Sequence, residues 1–171
     1  MSEKQRYRFS WDLIGDISAR ESLGPLVRVE VYRLMQLCFR DILEKNYGAE
    51  QTDVLFREAG QLAGEHFYKQ FLPGEMDFNT FVEKAQTLLR DLGVGILRIE
   101  TADLDQGKLI LTVGEDLDCS GLPEMDHEFC AYDEGFIAGL LGNYVKREFL
   151  VREIDCWCTG ARTCRFSAEI V

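Results

Sequence analysis

Four of the six cysteines of this chain lie between Cys130 and Cys164. Cys156 and Cys164 bracket the segment Trp157-Cys158-Thr159-Gly160-Ala161-Arg162-Thr163, and a hairpin turn centred on Gly160 sets the two thiols opposite each other. Two thiols at the mouth of a hairpin are half of a tetrahedral zinc site. Cys130 opens a helical run, Ala131 to Gly142, and the dipole at a helix N-terminus favours a third thiolate there. The fourth ligand is open between two residues. Side chains alternate along a strand, so Cys158 shares parity with Cys156 and Cys164, and simple register offers Cys130, Cys156, Cys158 and Cys164. Glu153 is an odd number of positions from Cys156 and joins the set only if the strand is bulged or broken near Asp155. Either set, four protein ligands with at least three thiolates, closes the coordination sphere as structural zinc sites do. The bland alternative is a group of core thiols without metal.

The elements that must position these residues are read from hydrophobic period. Val27, Val31, Leu34, Met35, Cys38 and Ile42 recur at helical spacing after Gly24-Pro25, predicting a helix over about 25–47. Val29, Tyr32, Phe39 and Leu43 widen its apolar surface, so it is expected to be buried on more than one side, as the central helix or against a second subunit, with Cys38 a small core residue. A second helix opens at Thr52-Asp53 and ends at Pro73-Gly74, with Gly60 and Gly64 permitting close packing. A third is capped by Asp77 or Asn79. After Gly93-Val-Gly95 the period changes. Ile96–Thr101 and Leu109–Val113 read as a β-hairpin, residues 115–128 as an acidic loop, and 147–155 and 163–169 as two further strands. Residues 7–14 are a short strand or an irregular cover segment anchored by Trp11. The order favours an α+β fold, N-terminal helices packed on an antiparallel sheet of about four strands with a zinc-pinned C-terminal hairpin, in one domain spanning 1–171.

Composition bounds the function. The chain has 171 residues, 46% of them hydrophobic, and a net charge of −11. Residues 91–135 hold twelve acids against Arg98 and Lys108, so this segment alone carries −10. That balance argues against nucleic acid or an anionic membrane as partner. No apolar run approaches a membrane span or a leader segment, so a cytoplasmic location is expected, where a reducing environment shifts clustered cysteines from disulfides to metal.

With these residues in view, Cys130, then Glu153-x-x-Cys156 and Cys164, resembles the signature of the 4-vinyl reductase domain family. Val31-Tyr32-Arg33, Arg57-Glu-Ala-Gly60, Gly64 and the run from Tyr132 to Leu141 are similar to that family too. The family includes aromatic-sensing domains of bacterial activators and a protein linked to bacteriochlorophyll vinyl reduction, and its fold is related to trafficking-complex subunits. In the sensing domains one Glu and three Cys hold a structural zinc, so the resemblance implies Cys130, Glu153, Cys156 and Cys164 as ligands of Zn2+. It also implies a small hydrophobic or aromatic ligand, for which Phe67, Tyr68, Phe71, Phe78 and Phe81 are candidate lining residues, and whose His and Trp anchors have no match here.

The expected function is a ligand-binding or sensing domain, dimeric, with an output through a protein partner. The alternatives are a reductase or accessory for a vinyl or tetrapyrrole substrate, which no nucleotide motif supports, and a protein–protein scaffold. No catalytic residue is assigned. His66 lacks the second histidine of a His-Glu-x-x-His site, and His127 sits among acids. Asp133-Glu134 read as first-turn helix charges. The glycines Gly135, Gly139 and Gly142 lack a phosphate-loop order and are expected to let their helix approach the sheet.

Overall fold

The computed structural model describes residues 6–171. Four α-helices and four strands follow in the order α1 (Val29–Tyr47), α2 (Ala49–Phe71), α3 (Phe78–Asp91), β1 (Ile96–Asp103), β2 (Lys108–Gly114), α4 (Ala131–Val145), β3 (Phe149–Asp155) and β4 (Cys164–Ile170). The strands form one antiparallel sheet of order β1-β2-β4-β3. Leu109, Leu111, Val151, Phe166 and Ala168 are buried at alternating positions of β2, β3 and β4 and form the floor of the core. Leu140 and Leu141 of α4 and Phe81, Ala85 and Leu89 of α3 cover it. The α+β expectation holds. Among the described residues, no helix is long and apolar enough to cross a membrane.

Local chemistry explains the boundaries. Asp77 caps α3, its carboxylate accepting the N–H and hydroxyl of Thr80 at 3.0 and 2.7 Å. Gly160, at φ +93, makes the left-handed turn that ends the short 3-10 helix Trp157–Thr159 and leads towards β4. The second helix begins at Ala49 rather than Thr52, because the Thr52 hydroxyl bonds back to the Gly48 carbonyl, 2.9 Å away, inside the helix. Residues 11–14 form a 3-10 turn, not a strand, and Trp11 packs edge-on to Phe71 at 5.2 Å.

Two expectations are corrected. The glycines of α4 face α2 and not the sheet. A Cβ on Gly135 or Gly139 would lie 1.9 or 2.2 Å from the carbonyl oxygens of Arg57 or Gln61, and one on Gly60 or Gly64 would lie 2.0 or 2.1 Å from those of Tyr132 or Phe136. The two helices therefore meet backbone to backbone along reciprocal glycines, a contact that any side chain there would force apart.

The second correction concerns α1, which begins at Val29 and is not a central helix. It turns polar residues inward: Gln36 and Arg40 are its buried side chains, while Leu34, Met35 and Phe39 are 67%, 63% and 64% exposed and Cys38 is exposed. Arg40 reaches Asp53 at 2.6 Å and lies 4.6 Å over the Phe129 ring. Hydrophobic period located the helix; it could not say which face the rest of the chain covers.

Candidate functional site

The thiol cluster is assembled by three elements. Cys130 is the N-cap of α4, Cys156 follows β3, and Cys164 opens β4. Asp155 pairs with Arg165, so the hairpin mouth does set Cys156 against Cys164. Between Glu153 and Asp155 the register shifts, leaving Ile154 as an extra residue. This bulge reverses the parity, and Glu153, Cys156 and Cys164 are all buried as a result. The Glu-containing set required such a bulge, and it is present.

Cys130 Sγ lies 3.9 Å from Cys156 Sγ and 3.7 Å from Cys164 Sγ. A zinc–sulfur bond of about 2.3 Å in a tetrahedron implies sulfur pairs about 3.8 Å apart, so these three thiols stand at the corners of such a site. Glu153 is adjacent: its Oε2 accepts the Cys130 N–H at 3.2 Å, and its buried Oε1 has no hydrogen-bond partner. Cys158 is not part of the group. It is buried in the 3-10 turn, where its N–H donates to Cys156 Sγ at 3.4 Å and its carbonyl accepts Met125 N–H at 2.6 Å.

Cys119 occupies the place that Cys158 was a candidate for. Its Sγ is 3.0 Å from that of Cys164, and the sulfurs of Cys119, Cys130, Cys156 and Cys164 all lie within 4.8 Å of one another. Sequence reading missed it, because Cys119 sits in the acidic segment taken as a solvated loop. The signal available was the Asp116-x-Asp118-Cys119-Ser120-Gly121 run, a turn-forming sequence that can carry a cysteine inward.

The electrostatics fit a cation. Hydrogen bonds from Cys119, Cys130 and Cys164 hold the Cys156 thiol well below its ordinary pKa, while Cys130, tied up as their neighbour, is pushed far above its own. Four thiols this close stabilise one thiolate by themselves, and only a metal ion lets the others ionise. Burial, and then the charge of Cys156, pushes Glu153 up to about 8. Burial raises Asp133 well above the carboxylate range, and burial followed by the Asp118 charge raises Asp116 to about 7. The donor set, three thiolate corners, a fourth thiol and an unpartnered carboxylate oxygen, suits Zn2+.

Glu134 is a buried support, not the surface helix charge expected of it. Its carboxylate takes Arg57 at 2.7 Å, Arg152 at 3.4 Å and the backbone N–H of Glu153 at 2.8 Å, binding α2, α4 and β3 together beside the thiols. Glu134→Ala would leave the Glu153 N–H and a partly exposed Arg57 without partners. A cost of about 2 kcal/mol is expected, lowering the melting temperature by about 5 °C in thermal denaturation.

Beyond Cys130 on α4 lies an enclosed apolar cavity of about 40 Å3 between α3, α4 and the sheet. Phe78, Phe81, Val82, Phe136 and Leu140 line part of it. Among the described residues Asp133 is the one ionisable group in its lining, and the Asp133 Oδ2 is buried without a partner. Of the candidate aromatics only Phe78 and Phe81 reach this cavity. Tyr68 lines an open groove of about 620 Å3 beside Gly74 and Tyr144, and Phe67 packs with Phe9, Trp11 and His66 against the N-terminal segment. His66 stacks edge-on against Phe9 at 4.8 Å, and exposed His127 bonds Asp126 at 2.9 Å; neither meets a nucleophile.

Residues 109–170, which run from β2 through α4 to β4, match the family model of the 4-vinyl reductase domain. The fold is similar to that of the phenol-responsive sensory domain of the transcription activator PoxR, solved with phenol (TM-score 0.65, 19% identity, 85% of this chain and 75% of that one). It is also similar to a vinyl-4-reductase family protein from Methanocaldococcus jannaschii (TM-score 0.61, 15% identity, 94% and 93%). A trafficking protein particle complex subunit 3 from Naegleria fowleri, covalently bound to palmitic acid, is a third (TM-score 0.65, 11% identity, 84% and 95%). At these identities the likeness is one of fold.

Proposed function

Because this chain carries a 4-vinyl reductase domain over residues 109–170, we propose that it is a small-molecule-binding or sensing domain that takes a hydrophobic or aromatic ligand beside a structural zinc. The observation that carries this reading is the enclosed apolar cavity with the unpartnered Asp133 Oδ2 on its wall, one helical turn from Cys130. A ligand with an apolar body and one hydroxyl or amine meets both features. The similar PoxR domain was solved with phenol and the trafficking subunit with palmitic acid, which supports an apolar guest in this fold. At about 40 Å3 the cavity is smaller than the roughly 150 Å3 that holds benzene, so the ligand must displace side chains such as Phe78 and Val82 as it enters.

Cys130, Cys156 and Cys164 would hold the zinc, with Glu153 or Cys119 completing it. Its role is structural, since four protein ligands leave no position for substrate. The uncovered apolar face of α1, with Val31, Leu34, Met35, Phe39 and Ile42 exposed, supports a homodimer in the cytosol, or a protein partner for output.

Native mass spectrometry of the purified protein, followed by thermal denaturation with phenol, simple aliphatic alcohols and amines, tests the reading. One zinc per chain and a dimer mass are expected. At a hundred times its Kd a true ligand adds about 2.7 kcal/mol, raising the melting temperature by about 5–10 °C. Protein without stoichiometric zinc, and with no stabilisation by any of these compounds, sinks it.

A further inference from the structure

The fourth corner of the thiol site is where this chain has two donors for one position. The Glu153 carboxylate and the Cys119 thiolate give the same formal charge with three thiolates and zinc, so charge does not choose between them; geometry does. Glu153 has its Oε2 engaged by the Cys130 N–H. Cys119 has its sulfur inside the group in which all four sulfurs lie within 4.8 Å of one another, and its side chain is fully buried.

The loop is built to bring Cys119 there. Asp116 Oδ1 accepts the N–H groups of Asp118 and Cys119 at 2.7 and 3.1 Å, Ser120 N–H returns to the Asp116 carbonyl at 3.1 Å, and Leu122 N–H to the Cys119 carbonyl at 2.9 Å. Aspartate accepting backbone N–H groups two and three residues on makes a compact turn, with the following side chain fixed in direction.

The same loop is what α1 grips. Arg33 Nε donates to the Leu117 carbonyl at 2.8 Å, Arg33 Nη2 to the Ser120 carbonyl at 2.8 Å, and the Tyr32 hydroxyl to Asp118 Oδ1 at 2.7 Å. These bonds matter more than usual, because α1 presents a polar face to the rest of the chain and so gains little from hydrophobic burial.

We propose that Cys119 is the fourth metal ligand of this protein, making the centre all-thiolate, and that through the loop carrying Cys119 the metal holds α1 in its docked position. The assignment rests on the zinc reading above and goes beyond it. Glu153 then supports the site from outside, bound to the Cys130 backbone, and the exposed apolar face of α1 is presented only while the metal is in place. A partner that binds that face would sense the metal state of the protein.

X-ray absorption at the zinc edge of the wild-type protein, with hydrogen exchange of the α1 amides, tests both parts. Four sulfur scatterers at about 2.3 Å are expected, in the wild type and in Glu153→Gln alike. Three sulfurs and one oxygen in the wild type overturn the ligand assignment while leaving the zinc reading intact; wild-type protein that binds no zinc overturns both. Cys119→Ser is expected to speed exchange over residues 29–47 by about tenfold or more, with Glu153→Gln close to wild type. Unchanged protection of α1 in a folded Cys119→Ser overturns the coupling. If Cys119→Ser does not fold, wild-type protein stripped of zinc by a chelator gives the same comparison.

Discussion

Gly135→Val should cost at least about 3 kcal/mol and lower the melting temperature by about 10 °C. The reason is the contact between α2 and α4, where even the first carbon of a side chain at position 135 would sit 1.9 Å from the Arg57 carbonyl oxygen. That neighbour is backbone in the middle of a helix, so no rotamer change relieves the clash; the helices must separate. Separation would lift α4 from the floor of Val151 and Phe166 and open the layer that encloses the cavity. Gly135→Ala tests the same contact with the smallest possible change, and thermal denaturation of the two variants is the measurement. An alanine variant that melts with the wild type contradicts the close approach.

Removing the metal should have an effect of similar size. An ion bound by Cys130 and Cys164 cross-links positions 34 apart in sequence, and a cross-link closing a loop of that length restricts the unfolded chain by about 4 kcal/mol. A strong chelator, or Cys156→Ser, is therefore expected to lower the melting temperature by about 10 °C. Cys158→Ser should keep the zinc, because Cys158 lies outside the group of four. Elemental analysis alongside denaturation checks both statements; a chelated protein that melts unchanged removes the zinc from the account of stability.

What could be read in the sequence was local. The Asp77 cap, the turn at Gly160 and the change of period after Gly95 each follow from the preferences of one or two residues, and all three stand. Parity along β3 even tied the Glu-containing set to a bulge beside Asp155, where the register does shift. The misreadings were all about partners. An apolar stripe on α1 marks a helix, but nothing in its period tells that Arg33, Gln36 and Arg40 would be the inward side. Gly135 and Gly139 announce a close approach without saying to what, and the answer was α2. Asp116 and Asp118 looked like solvated charge and are buried, because Arg33 and Tyr32 arrive from a segment more than eighty positions away. Cys119 was hidden by the same misreading, since a thiol inside an acidic loop looks remote from a core.

Helix α4 starts at Cys130 and passes the cavity at Asp133, Phe136 and Leu140, while its glycines lock it to α2. A metal at one end and a guest along the side therefore act on a single rigid body. By linkage, whatever factor the bound guest applies to zinc affinity, zinc must apply to the affinity for the guest. A chain of this design reports organic ligand and metal supply as one combined quantity, and a binding constant measured for either has meaning only at a stated concentration of the other.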